Sequence, residues 1–221
     1  MRPTVTDELA IAPGCDNAAV RATILLIRHA ATDPGSRLCG SFDLPLSDVG
    51  TAQVAQLAAR APRRPAPDAL YSSPLRRARL VSEALERAWS MAAQIADWAR
   101  EIHCGDLEGM PVESIRALMP EVWARHLAED DDRFAWLRGE TAAAFRSRVV
   151  GGLNAVARRH PGGRVAVVTH AGVVSQALGV LAGRRAAVWS LDRPDHFTAT
   201  EIEWHAGGGA AVRRFNDPDW F

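Results

Sequence analysis

Four short stretches of the chain carry side chains suited to handling a tetrahedral anion: Arg28-His29, Arg76-Arg77, Glu101 and His170. Guanidiniums hold phosphate oxygens through paired parallel hydrogen bonds. One neutral imidazole can attack phosphorus, a second can stabilise charge, and a carboxyl group can supply a proton to a leaving oxygen. Taken singly, each residue has a plainer explanation. An arginine at a helix start is usually solvated, a histidine after a strand commonly completes a turn, and a lone glutamate usually faces water. Chemistry is signalled by the combination.

The elements that must position these groups can be read from periodicity. Residues 23–27 (TILLI) form a continuous apolar run of strand length that ends abruptly in Arg28-His29. Arg164–Thr169 (RVAVVT) is a second such run and leads straight into His170-Ala171-Gly172 and a helix to about residue 181. Runs of this kind fit strands buried on both faces of a parallel sheet. Between them, Ser47 is placed to N-cap a helix over 48–60, and Ala69–Ser72 is a short strand. Pro74 is suited to opening a helix that reaches about residue 89, and a short strand follows near 94–96. One helix is expected within 112–128 and another within 140–159, the latter with Phe145, Val149, Leu153 and Val156 at helical spacing. Residues 197–204 and 210–215 alternate weakly around Gly207-Gly208-Gly209 and predict antiparallel edge strands. Strands alternating with helices predict an α/β sandwich with a mostly parallel sheet, whose ligands bind outside the carboxyl ends of the strands. Both apolar strands end in a histidine there. Helix starts after Ser73 and His170 would add backbone N–H groups and a positive dipole end.

The motifs resemble the histidine phosphatase superfamily, with its phosphoglycerate mutase-like fold. Residues 26–30 (LIRHA) with Thr32 resemble its R-H-G motif. Residues 37–50 (RLCGSFDLPLSDVG) resemble R-x-x-G-x-x-D-x-P-L-S-x-x-G. Residues 71–78 (YSSPLRRA) resemble Y-S-S-P-L-x-R-A, which places the family arginine at Arg77 and not at Arg76. Residues 101–109 (EIHCGDLEG) resemble E-I-x-x-G-D-x-E-G, 139–141 (GET) resemble the G-E-S/T block that opens a helix, and 168–173 (VTHAGV) resemble the second-histidine block. Six blocks in family order cover about 28–173.

The resemblance implies a three-layer α/β sandwich with a mostly parallel central sheet and hydrolysis of a small phosphate ester through a phosphohistidine. His29 would be the nucleophile, its other ring nitrogen donating to a backbone carbonyl, expected at Ala30. Arg28, Arg77 and His170 would hold the phosphate oxygens, and Glu101 would protonate the leaving group and then activate water. Neighbouring guanidiniums are expected to lower the pKa of His29 and keep it nucleophilic. This chain departs from the family at Ala30, where a glycine is usual, and at Gly35, where an asparagine usually touches phosphate. Thr32, Ser36 and Arg37 are candidates to replace that contact, and Ala171 borders the second histidine. The pattern is closest to phosphatase branches such as the α-ribazole phosphatases. Mutases typically carry R-H-Y-G after the proton donor, where this chain reads Ile102-His103-Cys104-Gly105. A mutase-type phosphotransferase and a protein phosphatase are the alternative readings.

Composition bounds the rest. The 221 residues suffice for one large domain, assigned to 22–221 with a cap region at about 105–140 and an N-terminal arm at 1–21. Apolar residues make up 48% and charged residues 24%, the balance of a globular protein. All 26 cations are arginines, which excludes a lysine-based Schiff base, pyridoxal phosphate attachment and a P-loop lysine. They match 26 acidic residues, so nucleic acid and anionic membranes are not expected partners. Three cysteines in no C-x-x-C spacing signal neither a disulfide frame nor a zinc site. No metal-ligand spacing and no cofactor motif is present, so metal-independent chemistry without a cofactor is expected. No apolar leader or membrane-length run is seen, and a cytoplasmic enzyme is expected. His103, beside Glu101, is a candidate substrate contact. His126, His160, His196 and His205 read as surface residues, His196 standing where tails of this family fold over the site. Trp123 and Trp136 lie in the cap region and read as core. The acidic run at 130–132 reads as a solvated loop.

Overall fold

A computed structural model describes residues 20–33, 35–59, 65–128, 131–184, 193–207 and 209–221. Six strands form one sheet: β1 (Arg21–Arg28), β2 (Ala69–Ser72), β3 (Ala93–Ile95), β4 (Arg164–Thr169), β5 (Ala199–His205) and β6 (Ala210–Asp217). Their order is β3-β2-β4-β1-β5-β6. The four strands from β3 to β1 are parallel neighbours, whereas β5 and β6 run antiparallel. The N-terminal arm falls almost wholly outside the described residues, and β1 begins at Arg21 instead of residue 23.

The central strands are apolar throughout because both faces of the sheet are covered. Along β1, Ile24 and Leu26 enter one core with Phe145, Val149 and Leu153 of α5 (Ala142–Arg159) and Val173 and Val174 of α6 (Ala171–Leu181). Their neighbours Leu25 and Ile27 enter the other core, with Leu57 of α1 (Asp48–Ala59) and Val81 and Leu85 of α2 (Arg76–Trp89). In β4 the same alternation sends Val165 and Val167 one way and Ala166 and Val168 the other. The period-two geometry of a strand thus serves two helical layers, making a three-layer sandwich.

Local chemistry sets the helix ends. The Ser47 hydroxyl accepts the Gly50 N–H at 3.2 Å at the start of α1, and Thr141 accepts the Ala144 N–H at 3.1 Å at the start of α5. Helix α2 starts at Arg76, two residues after Pro74, with extended Leu75 as its N-cap. Its first N–H, from Arg76, goes to the Asp43 carboxylate at 3.0 Å.

Two expectations need correction. The region 112–128 holds two helices, α3 (Val112–Leu118) and α4 (Pro120–Ala128), because Pro120 offers no N–H and restricts Met119, whose φ of −136° leaves the helical range. Strand β5 is not at an edge. It pairs with β1 over seven residues and leaves β6 as the edge, and both strands come after the last of the family-order blocks.

Candidate active site

His29 and His170 are the residues immediately after β1 and β4. The parallel register pairs Arg28 with Thr169, and the His29 N–H donates to the Thr169 carbonyl at 2.9 Å. The two imidazoles therefore stand side by side, ring centroids 5.1 Å apart. Strand β2 flanks β4 on its other side. There the Ser73 N–H donates to the Val168 carbonyl at 2.9 Å, and the Ser73 hydroxyl lies 2.7 Å from Nε2 of His170. Nδ1 of His170 is buried and has no hydrogen-bond partner among the described residues.

The tautomer of His29 follows from its neighbour. Nδ1 is 2.7 Å from the carbonyl of Ala30, and a carbonyl only accepts, so Nδ1 carries the proton and Nε2 the lone pair. The methyl of Ala30 is fully buried in the core beside α1 and α2, so the departure from glycine leaves this carbonyl in place. Nε of Arg77, from the first turn of α2, approaches Nε2 of His29 at 3.3 Å. Its two terminal nitrogens donate to the carbonyls of Phe42 at 2.8 Å and Gly40 at 2.7 Å, which holds Nε against the imidazole.

Glu101 follows a 3₁₀ turn at Asp97–Ala99 after β3. The Thr169 hydroxyl donates to the Ala99 carbonyl at 2.7 Å, and Arg148 of α5 donates to the carbonyls of Trp98, Arg100 and Glu101. The carboxylate itself accepts the Gly172 N–H at 3.0 Å and the Ile102 N–H at 3.1 Å. A Cβ at Gly172 would come within 2.1 Å of Glu101 Oε1, so glycine lets the carboxylate lie against this backbone.

Burial and cationic neighbours set the electrostatics. His29 is 5% exposed and His170 is fully buried, and each is held well below the ordinary imidazole pKa by burial first and by the Arg77 guanidinium second. Both are neutral at pH 7. Burial, reinforced by Arg193, lowers Arg28 to about 10. Burial also lowers Arg77.

The structure thus brings Arg28, His29, Arg77 and His170 together, with Glu101 electrostatically coupled to both guanidiniums. Other predicted positions are occupied differently. His103 is exposed and its Nδ1 accepts the Gly105 N–H at 3.3 Å, which turns the ring to its own loop instead of the site. Arg37 is exposed and donates to the Gly109 carbonyl at 2.8 Å; Thr32 forms a backbone bridge with Leu46. Neither they nor exposed Ser36 is tied to the imidazole pair by any contact between described residues. Ala171 is buried as the first residue of α6.

His196 is a correction. Its ring centroid is 5.2 Å from that of His29, and Nε2 accepts a hydrogen bond from Arg28 at 2.7 Å. Burial and the adjoining Arg28 hold its pKa at about 4, so the ring is neutral and able to accept. Arg28 also donates to the Pro194 carbonyl at 2.6 Å, tying residues 194–196 to the mouth of the site. Asn216 holds this strap from behind: its side-chain oxygen accepts from the Asp195 N–H at 2.6 Å and the Thr198 hydroxyl at 2.7 Å. His126 is no free surface residue either; its ring packs tilted against Trp136, centroids 4.6 Å apart. A further supporting group, Glu108, accepts from the backbone N–H groups of Gly40, Ser41, Phe42 and Cys104 and from the Ser41 hydroxyl. Asp131 pairs with Arg125, Asp130 lies outside the described residues, and among those described no group of three or more His, Cys, Asp or Glu side chains could hold a metal ion. No helix among them is long and apolar enough to cross a membrane.

Comparison with known proteins places the family and the fold. The family model of the histidine phosphatase superfamily (branch 1) matches residues 24–218. Phosphoserine phosphatase 1 of Hydrogenobacter thermophilus is 34% identical over 149 residues, covering 66% of this chain and 70% of that protein. The metal-independent phosphoserine phosphatase of Arabidopsis thaliana is 29% identical over 155 residues, 68% of this chain and 65% of that protein. Among solved structures, Bacillus stearothermophilus YhfR superimposes with a TM-score of 0.77 at 27% identity, covering 89% of this chain and 97% of its own. The fold is phosphoglycerate mutase-like, and the chain belongs to branch 1 of the histidine phosphatase superfamily.

Proposed function

We propose that this chain hydrolyses a small phosphate monoester through a phosphohistidine on His29. One observation carries the reading: a neutral, oriented imidazole presents its Nε2 lone pair between a guanidinium and a second neutral imidazole. Such a group is a nucleophile, and a site built only to bind an anion needs none. Membership of the family and its phosphatase relatives support the same reaction.

In the first step Nε2 of His29 attacks phosphorus. The N–P bond forms, the bond from phosphorus to the ester oxygen breaks, and Glu101 gives that oxygen its proton. In the second step Glu101 takes a proton from water as the water oxygen bonds to phosphorus, the N–P bond breaks, and inorganic phosphate leaves. Arg28, Arg77 and the unpartnered Nδ1 of His170 are the groups assigned to the non-bridging oxygens, where fixed donors offset the charge that develops. His196 positions Arg28 from the outer side. The zero formal net charge supports a small diffusible substrate over a polyanion. Free thiols at Cys39 and Cys104 support a cytoplasmic setting.

Release of inorganic phosphate from p-nitrophenyl phosphate tests the reaction, and an alkaline denaturing quench followed by intact-mass measurement tests the intermediate. One added phosphoryl group in wild type and none in His29→Ala is the expected result. Equal phosphate release by the two proteins refutes the proposal, and transfer to a second position of the substrate without release would mark a mutase.

A further inference from the structure

Ser73 and His170 share a buried contact that neither step of the reaction above uses. Ser73 follows β2, and its N–H donates to the Val168 carbonyl at 2.9 Å, which carries the pairing of β2 with β4 one residue further. The register thereby fixes the place of its hydroxyl, 2.7 Å from Nε2 of His170. Both residues are fully buried. Among the described residues the Ser73 hydroxyl has one other partner, the Leu75 N–H, which donates to it at 3.3 Å. Nδ1 of His170 has none.

The neutral ring carries one proton, and two placements are open. With the proton on Nε2, the ring donates to the Ser73 oxygen, which already accepts from Leu75. The hydroxyl hydrogen then has no acceptor and the Nδ1 lone pair no donor, so two buried polar groups go unsatisfied. With the proton on Nδ1, the hydroxyl donates to Nε2 and only Nδ1–H is left over. Buried polar groups are rarely left without partners, which favours the second placement. It also suits the assignment of Nδ1 to a non-bridging oxygen. A proton there makes a charge-assisted hydrogen bond, whereas a lone pair would repel that oxygen.

We propose that Ser73 is a positioning residue that holds His170 with its proton on Nδ1, and so makes the second imidazole a hydrogen-bond donor to the phosphoryl group. This rests on the hydrolase reading given above. His29 carries its proton on the same atom and puts it to the opposite use. A backbone carbonyl takes its Nδ1–H and frees Nε2 to attack, while a hydroxyl occupies Nε2 of His170 and frees Nδ1–H to donate. Two rings of one tautomer thus serve as nucleophile and as charge-stabilising donor.

Long-range nitrogen–proton correlation spectra of isotope-labelled protein at neutral pH read which ring nitrogen carries the proton, and the signals missing from His170→Gln identify His170. Wild type is expected to show Nδ1 protonated and Nε2 bare. In Ser73→Ala the proton should pass at least in part to Nε2. Its kcat/KM for p-nitrophenyl phosphate should fall about ten- to a hundredfold, short of the loss of a whole donor. A wild-type ring protonated on Nε2, a Ser73→Ala ring still protonated on Nδ1 alone, or a switched ring with undiminished kcat/KM overturns the inference. The wild-type spectrum reads the proton without turnover, so it decides the tautomer even where Ser73→Ala does not fold. Failure of the hydrolase reading shows separately, as wild-type release from p-nitrophenyl phosphate no greater than that of His29→Ala.

Discussion

The Glu101 carboxylate rests on the backbone of Gly172, accepting its N–H at 3.0 Å in a space that a single methyl group would fill. Gly172→Ala must therefore displace the carboxylate, the nearest group a Cβ would meet. The expected result is a loss of about 10- to 100-fold in kcat with the fold retained, since displacement of about 1 Å costs a catalytic group that much. Circular dichroism and steady-state kinetics on the same preparation check it. Unchanged kcat would mean that Glu101 plays no part in proton transfer.

Arg77 and Glu108 act on one loop from opposite sides. Arg77 donates to the carbonyls of Gly40 and Phe42, and Glu108 accepts from the N–H groups of Gly40, Ser41 and Phe42. Glu108→Gln places an NH₂ donor against N–H donors. It should cost about 2 kcal/mol, seen as a fall of about 4–8 °C in Tm. Activity should drop as well, because the fork of Arg77 loses its support. Arg77→Ala, by contrast, should lower kcat about 10²- to 10³-fold with a smaller thermal shift. Differential scanning calorimetry beside kinetics separates the two outcomes.

Two buried neutral histidines tie stability to pH. The folded pKa values of His29 and His170 lie well below 6.5, the unfolded value. As pH falls through 6.5 the unfolded chain takes up protons that the folded chain does not, so stability is present above that point and is lost below it. Each histidine contributes a slope of up to about 1.4 kcal/mol per pH unit. Urea unfolding at pH 7.5 and 5.5 should show the loss, and His170→Gln should flatten it. The acid limb of kcat/KM should also lie below the pH where an ordinary histidine titrates, because His29 stays unprotonated there.

The strap that carries His196 hangs on Asn216, whose φ of 54° is a left-handed conformation that glycine also adopts. Asn216→Gly keeps the backbone and removes the bonds to Asp195 and Thr198. About a tenfold lower kcat/KM is expected, with little change in Tm, as Arg28 loses a fixed partner. A fall in Tm of more than about 5 °C with normal kinetics would show the side chain to be purely structural.

What was legible in the sequence was local. The apolar runs at 23–27 and Arg164–Thr169 announced strands buried on both faces, and the residue after each became half of the imidazole pair because the parallel register aligns them. The proton on Nδ1 of His29 could be foreseen, since its partner is the next residue's carbonyl. The rest depends on distant segments meeting. His196 reads as a surface residue until β5 and β6 turn it back toward Arg28, 168 residues earlier. Arg148 looks like one more cation on α5 until its guanidinium collects three carbonyls from 98–101. His103 failed in the opposite sense, because proximity to Glu101 in the chain does not decide which way a ring points.

The insertion of β4 between β1 and β2 has a consequence for biogenesis. His29 follows β1, Ser73 follows β2 just ahead of the helix that carries Arg77, and His170 follows β4, which lies between those strands and is made last of the three. A chain still emerging from the ribosome can have β1, α1, β2 and α2 complete and yet own no working centre. The imidazole pair is therefore assembled only when residues 164–170 take their place between strands already made, and Arg28 gains its His196 partner later still.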